Sequence, residues 1–149
     1  MPDAQGSDMF STLEEDKMDA KQMIDLVEAG FAEANKNPEV IKICKALNDI
    51  TCQYEVRGKP EYDHWQQFTD NGLILHRGKS QTKVRIVYPS AKVFMDIFSG
   101  KIPGVAATGH GVLIYGPLPV FMKMTPITPF LSEAFLKVLS KAAPASNEG

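Results

Sequence analysis

Apolar side chains recur every three or four positions in the first third of the chain. Met23, Val27, Phe31 and Ala34 make one stripe, with Ile24 beside it, the spacing of a helix that buries one face. Upstream, Ser11-Thr12-Leu13-Glu14 has capping-box spacing, in which a hydroxyl and a carboxylate satisfy the first free amides, so a helix is expected from there to about Asn35. Asn35-Lys36-Asn37-Pro38 stops it and starts another, with Asn37 as cap and Pro38 in the first turn. Val40, Ile43, Cys44 and Leu47 form the stripe of this second, short helix. After Asn48-Asp49 the period drops to two. Thr51 to Val56 alternates as a half-buried strand, and Arg57-Gly58-Lys59-Pro60 turns the chain into a second strand, Tyr62 to Phe68. Thr69-Asp70-Asn71-Gly72 is a hairpin turn returning through Leu73 to Arg77. Gly78-Lys79-Ser80-Gln81 turns again into Thr82 to Tyr88, where Val84, Ile86 and Tyr88 share a face. The expectation is an antiparallel meander of four strands.

Pro89 ends the fourth strand. Ser90 can cap a helix from Ala91 to Ser99 that carries Phe94, Ile97 and Phe98 on one side and closes at Gly100. Small residues from Pro103 to Gly109 lead to a fifth strand, Val112 to Tyr115, which the intervening helix allows to pair parallel to a neighbour. A proline-punctuated apolar segment, Leu118 to Ile127, precedes a last helix from Thr128-Pro129 with Leu131, Ala134, Phe135 and Val138 on its apolar side. The fold class is therefore α+β: one mainly antiparallel, twisted five-stranded sheet covered on one face by helices. The 149 residues read as one domain, 1–149, with 1–10 and 144–149 as disordered tails.

Charge and composition narrow the function. The chain has 16 basic and 18 acidic residues, a net charge of -2, and the basic ones are scattered among the acids. A nucleic-acid binder needs a basic stripe to displace counterions from phosphates, so nucleic acid is excluded as a partner. Integral membrane association is excluded too, since a span needs about 20 apolar residues. The most apolar stretch, Gly111 to Met122, is broken by Pro117 and Pro119. The first residues carry acids where a secretory signal needs bases, and the last four do not spell a peroxisomal address, so a cytoplasmic location is expected. Cys44 and Cys52 are too few for a disulfide framework and read as small buried thiols.

One stretch carries a family likeness. Val84-Arg85-Ile86-Val87-Tyr88, a turn, and then Phe94-x-x-Ile97-Phe98-x-Gly100-Lys101 give a strand, a polar cap, an apolar helix and a Gly-Lys stop. A small-residue stretch and an apolar strand ending at Gly116 follow. In this the chain resembles the sterol carrier protein 2 family, loosely from about Pro38 to Met124. Two departures stand out. Gly109-His110-Gly111 replaces the Gly-Lys that the family usually places before the fifth strand. Pro117-Leu118-Pro119, with Pro126 and Pro129, replaces the regular closing helix. The resemblance implies helices enclosing an apolar cavity against the sheet, and a ligand of the sterol, fatty acid or acyl-thioester class held without metal, cofactor or catalytic residue.

The expected ligand-binding residues are Phe94, Ile97, Phe98, Val112, Ile114, Phe121, Met122 and Met124. Helix, fifth strand and closing segment are consecutive and hence neighbours in space. Four prolines between Pro117 and Pro129 prevent the segment from forming one regular helix, and the methionines offer polarizable surface to varied shapes. Burying about ten ligand methylenes would supply ~8 kcal/mol, which leaves roughly micromolar affinity after the costs of ordering. The same segment could instead dock on a partner or a second copy, making the chain a homodimer module. An enzyme built on His110, between two glycines, ranks third. For His64 and His76, a hairpin with Asn71-Gly72 as its loop sets His76 opposite Gln67, an odd number of residues from His64. The two imidazoles then lie on opposite faces as solvated strand histidines, unable to share a metal or a proton. Gly104 to Gly109 imitates the start of a phosphate loop but lacks the Lys-Ser/Thr that such a loop requires.

Overall fold

The structure, a computed structural model, describes residues 19–142. Helix α1 spans Ala20–Ala34. Its capping box is built by Asp19 and Gln22: the Gln22 N–H donates to the Asp19 carboxylate at 2.8 Å, and the Asp19 N–H donates to the Gln22 side-chain oxygen at 2.9 Å. Asp19 is extended, so α1 starts after it and does not run through from Ser11. The expected box at Ser11–Glu14 lies outside the described residues. Helix α2 spans Pro38–Ala46, with Asn37 accepting from the Glu39 N–H.

Strands β1 (Thr51–Val56), β2 (Lys59–Thr69), β3 (Gly72–Arg77), β4 (Val84–Tyr88) and β5 (Leu113–Tyr115) form one sheet in the order β3-β2-β1-β4-β5. Three of its four pairings are antiparallel, and the α+β class holds as expected. The four-strand meander does not. Only β1, β2 and β3 form one; β4 crosses to the free side of β1 and pairs with it in parallel. Two causes are visible. The outer edge of β3 is occupied: Asn35, at the end of α1, accepts from the Leu73 N–H at 2.8 Å and donates to the Leu73 carbonyl at 3.0 Å. And β4 buries Val84, Ile86, Val87 and Tyr88, apolar on both faces, which suits a central position.

The crossing connection, residues 78–83, passes over the face of the sheet that the helices leave open. Gln53, fully buried, holds it there, donating to the Gly78 carbonyl at 3.1 Å and accepting from the Ser80 N–H at 2.9 Å. On the same face Arg85 forks onto Glu55 at 2.9 and 3.1 Å and lies over the Tyr115 ring.

Helix α3 (Ala91–Phe98) is capped by Ser90 and is followed by two 3-10 turns, Gly104–Ala106 and Thr108–His110. These return the chain to where β4 ended: a Cβ on Gly111 would sit 3.4 Å from the Pro89 ring. Strand β5 therefore runs antiparallel to β4, and the parallel pair expected there is β1 with β4 instead. Gly116 closes β5 at a positive φ of 127°, so near β4 that a Cβ would lie 2.6 Å from the Lys83 carbonyl oxygen. Helix α4 (Leu118–Met124), a 3-10 turn (Thr125–Ile127) and helix α5 (Thr128–Ala142) follow end to end. Pro119, Pro126 and Pro129 each sit in a first turn, where the missing N–H costs nothing. Helix α1 packs along α5, its Gly30 facing Phe135.

Candidate functional site

The helix-side face of the sheet carries the even residues of β1 and β2: Cys52, Tyr54 and Val56, and Tyr62, His64, Gln66 and Phe68. Above Tyr54 and Gln66 the helices do not close completely. They leave a cavity of about 100 Å³ between the sheet, α3 and the closing segment. Tyr54, Gln66, Ile86, Tyr88 and Ile114 make its sheet wall; Ile97 and Phe98 border it from α3. Phe121, Met124 and Ile127 close it from the other side, with Thr128, Leu131 and Ser132 from the start of α5.

Of the eight residues expected to meet a ligand, Ile97, Phe98, Val112, Ile114, Phe121 and Met124 border this cavity. Phe94 and Met122 do not. Phe94 is sealed at 1% exposure among the rings of Tyr54, His64, Tyr88 and Phe98. Met122 sits on the outer side of α4, 58% exposed. Tyr54, Gln66 and Tyr88 enter the wall without having been expected there. The sequence did hold a signal for Gln66: it shares strand parity with Tyr62 and Phe68, which puts an amide on an apolar face.

Hydroxyls of Tyr88, Thr125, Thr128 and Ser132 also border the cavity, but its one side-chain amide is held in a pair on the sheet wall. The Tyr54 hydroxyl donates to Gln66 Oε1 at 2.6 Å, while Gln66 Nε2, fully buried, has no partner. Burial drives the Tyr54 and Tyr88 hydroxyls well above their ordinary pKa, so both remain protonated. Next to Tyr54, His64 is buried, which corrects its reading as a solvated strand histidine. Its ring stacks on Tyr54 at 5.3 Å and meets Phe94 edge-on at 5.6 Å. Burial pushes its pKa down to about 4. Nδ1 lies 2.9 Å from the Tyr62 carbonyl, which can only accept, so Nδ1 carries the proton and Nε2 is left as a bare, unpartnered acceptor.

The hairpin loop is Asp70-Asn71, which moves the register by two residues and sets His76 opposite Trp65. The parity argument survives the shift. His76 lies on the open face, stacked on Trp65 at 4.0 Å and 2.8 Å from Gln67 Oε1, away from His64. His110 ends an exposed 3-10 turn. Cys44 and Cys52 are buried free thiols, pushed by burial up to about 11 and about 12. Among the described residues no three His, Cys, Asp or Glu gather as a metal site, and no helix is long and apolar enough to cross a membrane.

No protein-family model matches the sequence, and no curated protein matches it. Solved structures do match, over most of their length. A candidate sterol carrier protein of Thermus thermophilus superposes with a TM-score of 0.58 at 12% identity, covering 76% of this chain and 86% of its own. Sterol carrier protein 2 from Yarrowia lipolytica, in its apo form, gives 0.53 at 16% identity, covering 83% and 97%. This chain has the sterol carrier protein 2 fold. The SCP2 domain of a ubiquinone synthesis protein, UbiJ, shares it as well, with a TM-score of 0.52 at 10% identity and coverage of 69% and 86%. The resemblance read from Val84 to Gly116 thus holds for the fold. Within the sterol carrier protein 2 fold, the prolines of this chain cut the closing segment into two helices and a 3-10 turn.

Proposed function

We propose that the protein binds a lipid-like apolar molecule between the sheet and the closing segment and carries or presents it without chemical change. The observation that supports this best is the apolar cavity itself, in a fold shared with proteins named as sterol carriers. Desolvation of an apolar tail supplies affinity in such a site, and a polar contact sets orientation. Its size adds a requirement. An apolar cavity of roughly 150 Å³ accommodates benzene, and ligand pockets run to roughly 300 Å³ and above. At about 100 Å³ this cavity is too small to take up a lipid tail as it stands. A lipid tail needs α4 and the following turn to lift away from the sheet. Helix α4 is suited to that: it is seven residues long, has no side-chain cap, and exposes Leu118 and Met122.

Titration of the purified full chain with diphenylhexatriene, an uncharged apolar fluorophore, tests the reading. Saturable enhancement of emission, reversed by competing lipid, is expected; emission that never saturates would overturn it. Native mass spectrometry of the same preparation separates this from the homodimer reading, which requires a ligand-free dimer.

A further inference from the structure

An apolar cavity needs no polar group in its wall, yet this one has Gln66. Buried amides are nearly always hydrogen-bonded on both ends, because an unmade bond in the interior is expensive. Here Oε1 is engaged by the Tyr54 hydroxyl while Nε2 has no partner, although the residue is fully buried. The terminal torsion of a glutamine side chain is broad, so a small rotation is enough to turn the amide N–H toward a ligand oxygen. The wall's charge is equally informative. Among the described residues, none of those bordering the cavity is Lys, Arg, His, Asp or Glu. Arg85 is spent on Glu55 on the opposite face of the sheet, and Arg77 on Asp25 and Glu28 of α1. An anion at Gln66 would therefore be desolvated without a counter-charge, the least favourable arrangement for a buried ion. A neutral oxygen faces no such penalty and supplies the acceptor that Nε2 lacks.

Resting on the carrier reading above, we propose that Gln66, positioned by Tyr54, is the polar anchor of the cavity. Its ligand is an uncharged apolar molecule bearing an accepting oxygen, a hydroxyl or a carbonyl, which enters oxygen first. Ionised carboxylates are rejected at that position. The ligand classes implied by the family resemblance thereby narrow to their uncharged members. His64 Nε2, the other unpartnered buried side-chain atom among the described residues, belongs to a residue that does not border the cavity and has no part in this contact.

The test compares three eight-carbon probes, octanol, octanoate and octane, by NMR titration of isotope-labelled full-length protein at about pH 8, where a carboxylic acid is ionised. Octanol is expected to bind at least about tenfold more tightly than octanoate, the worth of one good hydrogen bond plus the rejected charge. Gln66→Leu is expected to lower the ratio of octanol to octane affinity about tenfold. Should Gln66→Leu fail to fold, Tyr54→Phe, which releases Oε1 and with it the aim of Nε2, is expected to lower the ratio of octanol to octane affinity severalfold, and an unchanged ratio overturns the inference. The wild-type comparison alone already decides the charge rule. Octanoate binding as tightly as octanol overturns the inference while leaving the carrier reading intact, as does a Gln66→Leu protein that keeps the full preference. Failure of all three probes to bind overturns both.

Discussion

The two walls of the cavity are built on opposite principles. On the sheet side, β1, β2 and β4 pair along their length, and their rings interlock. Phe94 stands edge-on to Tyr54, His64 and Tyr88 at 6.1, 5.6 and 4.8 Å and stacks on Phe98 at 5.1 Å. On the other side, α4, the 3-10 turn and the start of α5 are short pieces joined at prolines. Neither α4 nor the turn has a side-chain cap, and Leu118 and Met122 lie in solvent. Local stability follows buried apolar contact and protected backbone hydrogen bonds, so it concentrates in the sheet wall and thins toward the closing wall. The polar pair Tyr54–Gln66 sits in the rigid half. A cavity with one firm wall and one yielding wall can keep the orientation of its ligand fixed while admitting tails of different shape.

The largest expected effect comes from emptying the ring cluster that backs the firm wall. Phe94→Ala removes the ring on which four others converge and should cost about 3–5 kcal/mol of stability. Phe121→Ala, taken from the yielding wall, should cost about 1 kcal/mol or less, because that side can settle into the space. Diphenylhexatriene should also bind Phe121→Ala more tightly, since part of the closure has been cut away. Urea denaturation of the two variants measures the difference. Equal losses would show that the closing segment is as firmly packed as the sheet.

A smaller effect, also confined to the sheet wall, is set by pH. His64 is held neutral in the folded chain, its pKa lowered from 6.5 to about 4 by burial. Between those two values the unfolded chain binds a proton that the folded chain refuses. Stability is therefore full above about pH 6.5 and falls as pH drops toward 4, by about 3 kcal/mol from this residue. His64→Phe keeps a ring between Tyr54 and Phe94 and removes the titration. Its stability should fall less steeply across that window. Wild type and variant with the same slope would mean that His64 is not the group that titrates.

This division between walls also marks what the chain discloses in advance. Strand Thr51–Val56 and the end of the first helix at Ala34 are set by local pattern and emerge within a residue or two of where the pattern puts them, whereas the start of that helix lies at Ala20 and not near Ser11. The path of β4 was hidden because Gly78-Lys79-Ser80-Gln81 suits a hairpin, and only tertiary contacts, Asn35 on the edge of β3 and Gln53 under the connection, send the chain elsewhere. Within the site, consecutive segments could be placed together from sequence order, which reaches Ile97, Val112 and Phe121. Gln66 and Tyr54 lie on the neighbouring strands β2 and β1, outside the consecutive segments, and their meeting depends on the register Tyr54↔His64 and Cys52↔Gln66. No local periodicity reveals a cross-strand pair.

The smallest expected effect is at Met122, and it discriminates between two ways of opening. In the structure this side chain lies outward on α4, whereas Met124, two residues on, is 5% exposed and borders the cavity. A carboxylate introduced by Met122→Glu stays in water, so stability should change by less than about 0.5 kcal/mol and diphenylhexatriene affinity should not move. The same charge at Met124→Glu is forced against an apolar wall with no counter-charge, and binding should be lost. If α4 lifts as a unit, outer and inner sides keep their identities on loading, and this contrast persists. If α4 instead rolls about its axis to admit the ligand, Met122 turns inward. In that case Met122→Glu abolishes binding while leaving the empty protein as stable as before.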